Sequence, residues 1–243
     1  MRSAVALLLG PHVGKDESVK RFCRGTVALH PTRPKYSSTW DPKLVLDHIA
    51  GWIPNDTISL KRLSEKLAVL MALTTAHRMQ TLTSILIDNI IHKTDRIEIK
   101  VPAILKTSGP KRPQPNLILP FFPENSAICV ASTLQSYLER TRPLRGTEKA
   151  LFISGKKPHN AITSQTLSHW IKDVLSKSGV DTATFSAYST RHASTSAAKD
   201  SGVNIDMILK TAGWTPSSET FARFYNRPIQ EDPKTFASSI LRR

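Results

Sequence analysis

The sequence predicts an α+β fold, mainly helical, with one small three-stranded antiparallel sheet. Three observations carry this reading. Apolar residues recur at helical spacing after Asp41. The texture changes between Ile85 and Pro120 to short runs rich in Ile, Leu and Val, separated by polar or Pro/Gly turns. Helical periodicity then returns from 127 onward. Helices, sheet and helices in that order place the sheet on one side of the molecule.

Taken in order, residues 1–25 read as helical and then basic, with Lys15, Lys20, Arg21 and Arg24. The opening MRSAVALLLGPHVGK has an arginine ahead of a short apolar run, as a signal peptide does. It lacks a small-x-small cleavage site and reads as the end of an amphipathic helix. Residues 31–42 hold three prolines and little periodicity, a linker by composition, so the compact part is expected to start near Asp41. Leu44, Val45, Ile49 and Trp52 suggest a short helix. Ser59 is placed to cap a longer one, in which Leu60, Leu63, Leu67, Leu70 and Met71 form a stripe. ILIDNIIH, RIEIKV and NLILPFF are the three expected strands. Helices follow at 127–141 and at 163–179, the latter with Thr163 as N-cap, Trp170 in its stripe and Gly179 as its stop. Three shorter helical segments are expected at 188–201, 204–212 and 217–225. There is no internal repeat and no low-complexity tract.

The chain has 243 residues, enough for one domain or two small ones. Its 34 basic and 19 acidic side chains give a formal net charge of +15, an excess that points to a polyanion, with nucleic acid first. Cys23 and Cys129 lie far apart and form neither a disulfide framework nor a CxxC zinc site; a reducing compartment fits. No apolar run reaches the length of a membrane span, so no membrane partner is expected. GPHVGK at 10–15 is one residue too short between its glycines for a P-loop and has Asp16 where Ser or Thr is required. HExxH and GxSxG are absent, and nothing points to the converging carboxylates of a two-metal nuclease.

Four segments stand out together: TTAHRMQTL (74–82), AILKTSGPKRPQP (103–115), FSAYSTRHAST (185–195) and KTAGWTPSSETFARFYNRP (210–228). In this order they resemble the catalytic boxes of the tyrosine recombinase (phage integrase) family, in the flavour of the eukaryotic mobile-element branch, the DIRS-type and Crypton enzymes. The resemblance covers about residues 41–228. It implies that Arg78 is the first-box arginine. The lysine of the β-hairpin turn is best matched by Lys106, with Lys111 as second choice. Arg191 is the second arginine, in Tyr188-Ser-Thr-Arg191, followed by His192. Gly213-Trp214 stands for the Gly-His or Gly-Trp element, and Tyr225 for the nucleophile. Lys111, Arg112 and His192 are expected against DNA.

The chemistry explains why these residue types belong together. A free tyrosine has a pKa of about 10, so roughly a thousandth is phenolate at neutral pH. It attacks phosphorus only where positive charge stabilises the developing anion and its proton has somewhere to go. A guanidinium stays charged and presents a fork that fits two phosphate oxygens. Fixed donors stabilise a charge-spread transition state more than the ground state, and losing one is expected to cost ~3–4 kcal/mol. A mobile hairpin lysine supplies the proton for the leaving 5′-oxygen, and Tyr188 and Trp214 can donate to the phosphate. The resemblance implies no metal, no ATP and no other cofactor, with a 3′-phosphotyrosyl intermediate storing the bond energy. Singly, each residue also has an ordinary role: a solvated arginine, a solvated turn lysine, a core tryptophan, an aromatic stripe of Phe221, Phe224 and Tyr225. Order and spacing carry the reading.

The sequence departs from the family pattern at three places. Tyr188 replaces the histidine of His-x-x-Arg, a poor base but a fair donor. Thr81 stands where an acid often follows the first arginine. Tyr225 follows Trp214 by 225 − 214 = 11 positions, slightly more than usual. The resemblance further implies that residues 1–40 are the last helix of an upstream helical DNA-binding domain plus its linker. The catalytic domain then spans 41–228, and residues 229–243 form a tail in which Phe236, Ile240 and Leu241 can dock on a neighbouring protomer or on their own domain. The chain thus reads as a catalytic-domain fragment or a truncated reading frame. Double-stranded DNA and a homotetramer on DNA are the expected partners, and the nucleus the expected location if the host is eukaryotic. The alternatives are a catalytically silent DNA-binding module derived from a mobile element, and an enzyme resembling a type IB topoisomerase.

Overall fold

The structure, a computed structural model, describes residues 2–31, 33–105, 108, 109, 114–230 and 241. The chain divides into two compact units, residues 1–35 and 36–243. In the first, α1 (Arg2–Leu9), α2 (Pro11–Lys15) and α3 (Glu17–Leu29) follow one another. Asp16 caps α3 by accepting from the Val19 amide at 3.0 Å. This helix buries no residue and leaves Phe22, Val27 and Leu29 exposed.

The second unit is built around α5 (Leu60–Thr75). Ser59 caps it, accepting from the Arg62 amide at 3.2 Å. A one-sided stripe is what the sequence shows, yet every residue from Leu63 to Leu73 is buried. The reason is packing on all sides: α7 (Val130–Thr141), α8 (Ser164–Lys177), α9 (Thr190–Asp200) and strand β3 (Asn116–Pro120) all lie against it. Burial at Lys66 is made tolerable because its ammonium donates to the Trp52 carbonyl at 2.7 Å and to Asn55 Oδ1 at 2.9 Å. The low-polarity surroundings still pull its pKa down to about 8.

The sheet is a meander of β1 (Ile90–His92), β2 (Arg96–Lys100) and β3, in that order and antiparallel throughout. Ile97 faces Leu119 and Ile99 faces Leu117 across β2–β3, and these four side chains are buried while their neighbours are not. The first strand is shorter than expected. The leading half of ILIDNIIH is used elsewhere, where the Leu151 amide donates to the Ile85 carbonyl at 2.8 Å and Ile87 to the Lys149 carbonyl at 2.9 Å. Thr163 caps α8 through the Thr166 amide at 3.2 Å, and Gly179, at φ +87°, turns the chain after it.

After α9 come α10 (Ile205–Thr211) and a single π-type turn, Phe221–Tyr225, where a helix over 217–225 is expected from the sequence. Residues 215–218 are taken up by a turn closed by the Ser218 amide on the Thr215 carbonyl at 2.9 Å, leaving room for one turn only. Upstream, residues 36–40 run as a strap over this region, bent at 37 and 38 and bridged to it at Thr39. Tyr36 and Trp40 are buried in the core. Trp40 Nε1 donates to Ser189 Oγ at 2.8 Å, and the Tyr36 and Ser186 hydroxyls meet at 3.0 Å. The Thr39 amide donates to the Pro228 carbonyl at 2.9 Å, and the Gln230 amide donates back to Thr39 at 2.6 Å. One strap thus ties the segment ahead of α9 to the segment just past Tyr225. Phe236 and Ile240 of the tail lie outside the described residues, and Leu241 is exposed. No helix among the described residues is long and apolar enough to cross a membrane.

Candidate active site

Arg191 sits in the first turn of α9 with none of its surface exposed. One terminal nitrogen, Nη1, donates to the carbonyl of Ala76 and, at 3.1 Å, to that of Ala212. Ala76 ends α5 in the left-handed region, at φ 50°, which turns its carbonyl into this contact. The residue therefore fastens the end of α5 to the end of α10. Its Nε and Nη2 are buried and have no partner among the described residues. Desolvation, then the nearby Arg78 charge, pull the guanidinium down to about 9, with Tyr188 acting in the opposite direction. It remains a cation at neutral pH, held where an anion is the missing partner.

The Arg191 cation sits over the Trp214 ring, with its Cζ 4.5 Å from the ring centre. The indole N–H is also buried and has no partner among the described residues. Tyr225 completes the cluster. Its ring stacks on His192 at 4.3 Å and 17°, meets Trp214 edgewise at 4.7 Å, and lies 5.4 Å from Arg191 Cζ. A small apolar group, Ile208, Leu209 and Phe221, seats it from below. Ser196 on α9 fixes the turn that carries it: its hydroxyl donates to the Tyr225 carbonyl at 3.0 Å and accepts from the Arg227 amide at 3.1 Å. The Tyr225 hydroxyl is in hydrogen-bond contact with that of Tyr188.

Arg78 is half-buried at the start of α6 (Met79–Thr83), directly after the end of α5. Its charge acts on both Arg191 and His77. The geometry thus brings together Arg78, Tyr188, Arg191, His192, Trp214 and Tyr225, from three of the four segments singled out in the sequence. Lys106, Lys111 and Arg112 lie outside the described residues.

Two positions beyond those singled out from the sequence shape the site. Ser196 has no signal in the sequence, being one small polar residue among several on α9. His77 had one, its place beside Arg78. It is buried, and its ring lies where a Cβ on Gly213 would come within 3.0 Å, at a backbone φ of +70°. Glycine at 213 is therefore required twice over, by the turn and by the imidazole against it. Burial, then the charges of Arg191 and Arg78, push His77 down to about 3 from 6.5, so it is neutral at pH 7. Between those values the unfolded chain takes up a proton that the folded chain refuses. The contribution of His77 to stability is thus intact above pH 6.5 and is lost as pH falls, by up to ~1.4 kcal/mol per pH unit from a single group. His77→Gln is expected to flatten the fall in urea midpoint between pH 6.5 and 4.5; an unchanged slope would assign the effect to another group.

The sequence model of the phage integrase family matches residues 53–231. Comparison with curated proteins gives no match. Among solved structures, the pre-cleavage complex of the XerH site-specific recombinase with its difH substrate is similar at 15% identity and a TM-score of 0.58, over 86% of this chain and 54% of that one. The XerH post-cleavage complex with palindromic difH has a TM-score of 0.59 at 14% identity, over 84% and 51%. The XerA recombinase follows at 0.56 and 16%, over 89% and 67%. The chain spans about half the length of XerH. With the family's sequence pattern covering most of it, and its helices and three-stranded sheet matching the fold of these recombinases, the chain belongs to the phage integrase family, the tyrosine recombinases.

Proposed function

We propose that this protein cleaves and rejoins DNA strands through a 3′-phosphotyrosyl intermediate formed on Tyr225. The observation that carries the proposal is the set of donors that are buried without acceptors among the described residues, Nε and Nη2 of Arg191 and Nε1 of Trp214, beside the ring of Tyr225. A buried polar group without a partner costs roughly 1–3 kcal/mol and more when charged, so a site built this way is completed by its ligand. A phosphodiester supplies what the donors lack: two anionic oxygens for the Arg191 fork and a phosphorus within reach of a phenol. The net charge of +15 favours a DNA backbone as its source.

In this reading Arg78 and Arg191 hold the equatorial oxygens, and Trp214 donates to one of them. A lysine of the β2–β3 connection, Lys106 or Lys111, protonates the leaving 5′-oxygen, and Lys111 and Arg112 face DNA; His192, expected against DNA from the sequence, is instead buried and stacked on Tyr225, so it supports the nucleophile's ring. The guanidinium charges make metal and ATP unnecessary. The protein acts as a tetramer on double-stranded DNA, as a mobile-element recombinase of the DIRS or Crypton type working in the nucleus. Residues 1–40 serve as the end of an upstream DNA-gripping domain and its linker, and 41–228 as the catalytic domain. The complexes of XerH before and after cleavage support DNA as partner by likeness of fold.

A second reading, a DNA-binding module that has lost catalysis, draws on Tyr188 in place of a histidine base. One assay separates the two. The protein is incubated with a pool of nicked suicide duplexes carrying a randomised core, and denaturation-resistant adducts are isolated. An adduct that forms in EDTA, with the 3′-phosphate mapped by mass spectrometry to the peptide containing Tyr225, is the expected result. DNA retention without any adduct would favour the silent module. Cleavage abolished by EDTA would favour a metal-dependent nuclease.

A further inference from the structure

We infer that the strap of residues 36–40 positions the nucleophile: it sets where the Tyr225 hydroxyl stands relative to Arg191, with Thr39 and Trp40 as its positioning residues. This rests on Tyr225 as the nucleophile and adds what holds that residue in place against the phosphate site. The turn that carries Tyr225 has little to hold it from within. It is one π-type turn, closed by the Asn226 amide on the Phe221 carbonyl at 2.9 Å. A single turn is unfavourable alone, so its shape depends on contacts from outside it. From α9, Ser196 grips the Tyr225 carbonyl and the Arg227 amide. Beyond Arg227 the grip passes to the strap. The Thr39 amide donates to the Pro228 carbonyl at 2.9 Å, and the Gln230 amide donates to the Thr39 carbonyl at 2.6 Å. Nε2 of Gln230 adds a bond to Ser38 Oγ at 2.9 Å.

The same strap is anchored to the segment that leads into Arg191. Tyr36, Thr39 and Trp40 are all buried. Trp40 Nε1 donates to Ser189 Oγ, which in turn donates to the Ser186 carbonyl at 2.7 Å. The Ser186 amide donates to the Tyr36 hydroxyl at 3.3 Å. Tyr36 also meets His192 edge-on at 5.0 Å, and His192 stacks on Tyr225. Directly after Trp40, Asp41 caps α4 (Pro42–Ala50) by accepting from the Lys43 amide at 2.8 Å, and α4 lies against α8 and α9. The strap is therefore a strut held at both ends. One side bears on the turn ahead of Arg191, the other on the chain leaving Tyr225. Moving it changes the distance from the phenol oxygen to the Arg191 donors without touching either group. Attack at phosphorus needs reacting atoms about 3–3.5 Å apart and aligned, and a misplacement of about 1 Å can cost about 10²-fold in rate.

The test releases the strap from each end in the full chain. Gln230→Pro removes the amide that donates to the Thr39 carbonyl, at an exposed position outside the core. Gln230→Ala keeps that amide and loses only the bond to Ser38. Trp40→Phe removes the donor to Ser189 and keeps an aromatic ring. Single-turnover adduct formation on the suicide duplexes is followed across protein concentrations, which separates the saturating rate from half-saturation. Gln230→Pro is expected to lower the saturating rate about tenfold or more, with half-saturation within about twofold of wild type. Gln230→Ala should keep at least about a third of the wild-type rate. Trp40→Phe should also be slower. The double variant should fall below the worse single one by less than about threefold, because both changes release one strap. A saturating rate of Gln230→Pro within about twofold of wild type, a loss in half-saturation alone, or losses that multiply in the double variant would each overturn the proposal. Amide exchange of Asn226 and Arg227, read without DNA, keeps this apart from strand cleavage. Their acceptors are the Phe221 carbonyl and Ser196 Oγ, which Gln230→Pro leaves in place. Gln230→Pro should speed their exchange about tenfold and leave that of α5 as in wild type. No change at these two amides, or an equal rise along α5, overturns the strap's role even if adduct formation falls. If wild type forms no adduct but the two amides respond, the strand-cleavage reading fails and the strap still sets the Tyr225 turn.

Discussion

Tyr225→Phe is expected to abolish the covalent protein–DNA adduct while leaving folding and DNA binding nearly unchanged. The substitution removes a single oxygen. The ring keeps its stack on His192 and its edge contact with Trp214, and Phe221 and Leu209 still seat it. The lost hydrogen bond is to Tyr188, whose hydroxyl can turn to water, so the stability change should stay within about 1 kcal/mol. On the proposed reading, DNA affinity rests on phosphate contacts by the chain's excess of basic side chains and should be retained, with the steep salt dependence such contacts bring. The measurement pairs adduct yield on a denaturing gel with filter binding and a thermal melt. An adduct that survives would remove Tyr225 as nucleophile. Peptide mapping would then show whether the neighbouring Tyr188, at the same oxygen position, has taken its place.

The parts of this site legible in the sequence were those with distinctive chemistry in a fixed order. Arg78, Tyr188, Arg191, Trp214 and Tyr225 are legible only as a set, because their order and spacing, with strands between the first and the rest, resemble the catalytic boxes of the tyrosine recombinases; singly each also has an ordinary role. The helices with side-chain caps were legible for a local reason: Ser59 and Thr163 announce α5 and α8 within three residues of the bond they make. What the sequence hid was set by distant contacts. The all-round burial of α5 arises from packing by α7, α8, α9 and β3, which periodicity along α5 alone does not encode. Residues 31–42 read as linker because prolines suppress periodicity, yet Tyr36 and Trp40 find Ser186 and Ser189 some 150 positions away. The last turn was misread as a helix because FARFY has helical spacing, and only the turn at 215–218 limits it to one π-type turn. The neutrality of His77 at pH 7 comes from burial and two cations, neither of them visible in the triplet Ala76-His77-Arg78.

Arg191→Lys is expected to cut adduct formation by at least a hundredfold, nearly as much as Arg191→Ala, and the comparison isolates the fork from the charge. The guanidinium divides its work between two ends. Nη1 is committed to the carbonyls of Ala76 and Ala212, while Nε and Nη2 are left without partners beside Tyr225. A lysine ammonium is a single point and cannot reach both ends. If it serves the two carbonyls, which are the partners already in place, the chain folds and the phosphate loses its paired donors, at ~3–4 kcal/mol for a donor of this kind. The loss grows with pH. The burial and neighbouring Arg78 that bring arginine down to about 9 act equally on a lysine, whose ordinary pKa is already about two units or more lower. Such a lysine is neutral over part of the physiological range, so residual activity of Arg191→Lys should rise on acidification from pH 8 to 6.5. Arg191→Ala, with no group to titrate there, should show no such rise. Arg191→Ala also frees the carbonyls of Ala76 and Ala212 and is expected to melt earlier than Arg191→Lys, which separates the fastening role from the phosphate role in one pair of proteins. Arg191→Lys with wild-type rates at pH 7 would mean that charge alone suffices and that the unpartnered Nε and Nη2 are not aimed at the reacting phosphate.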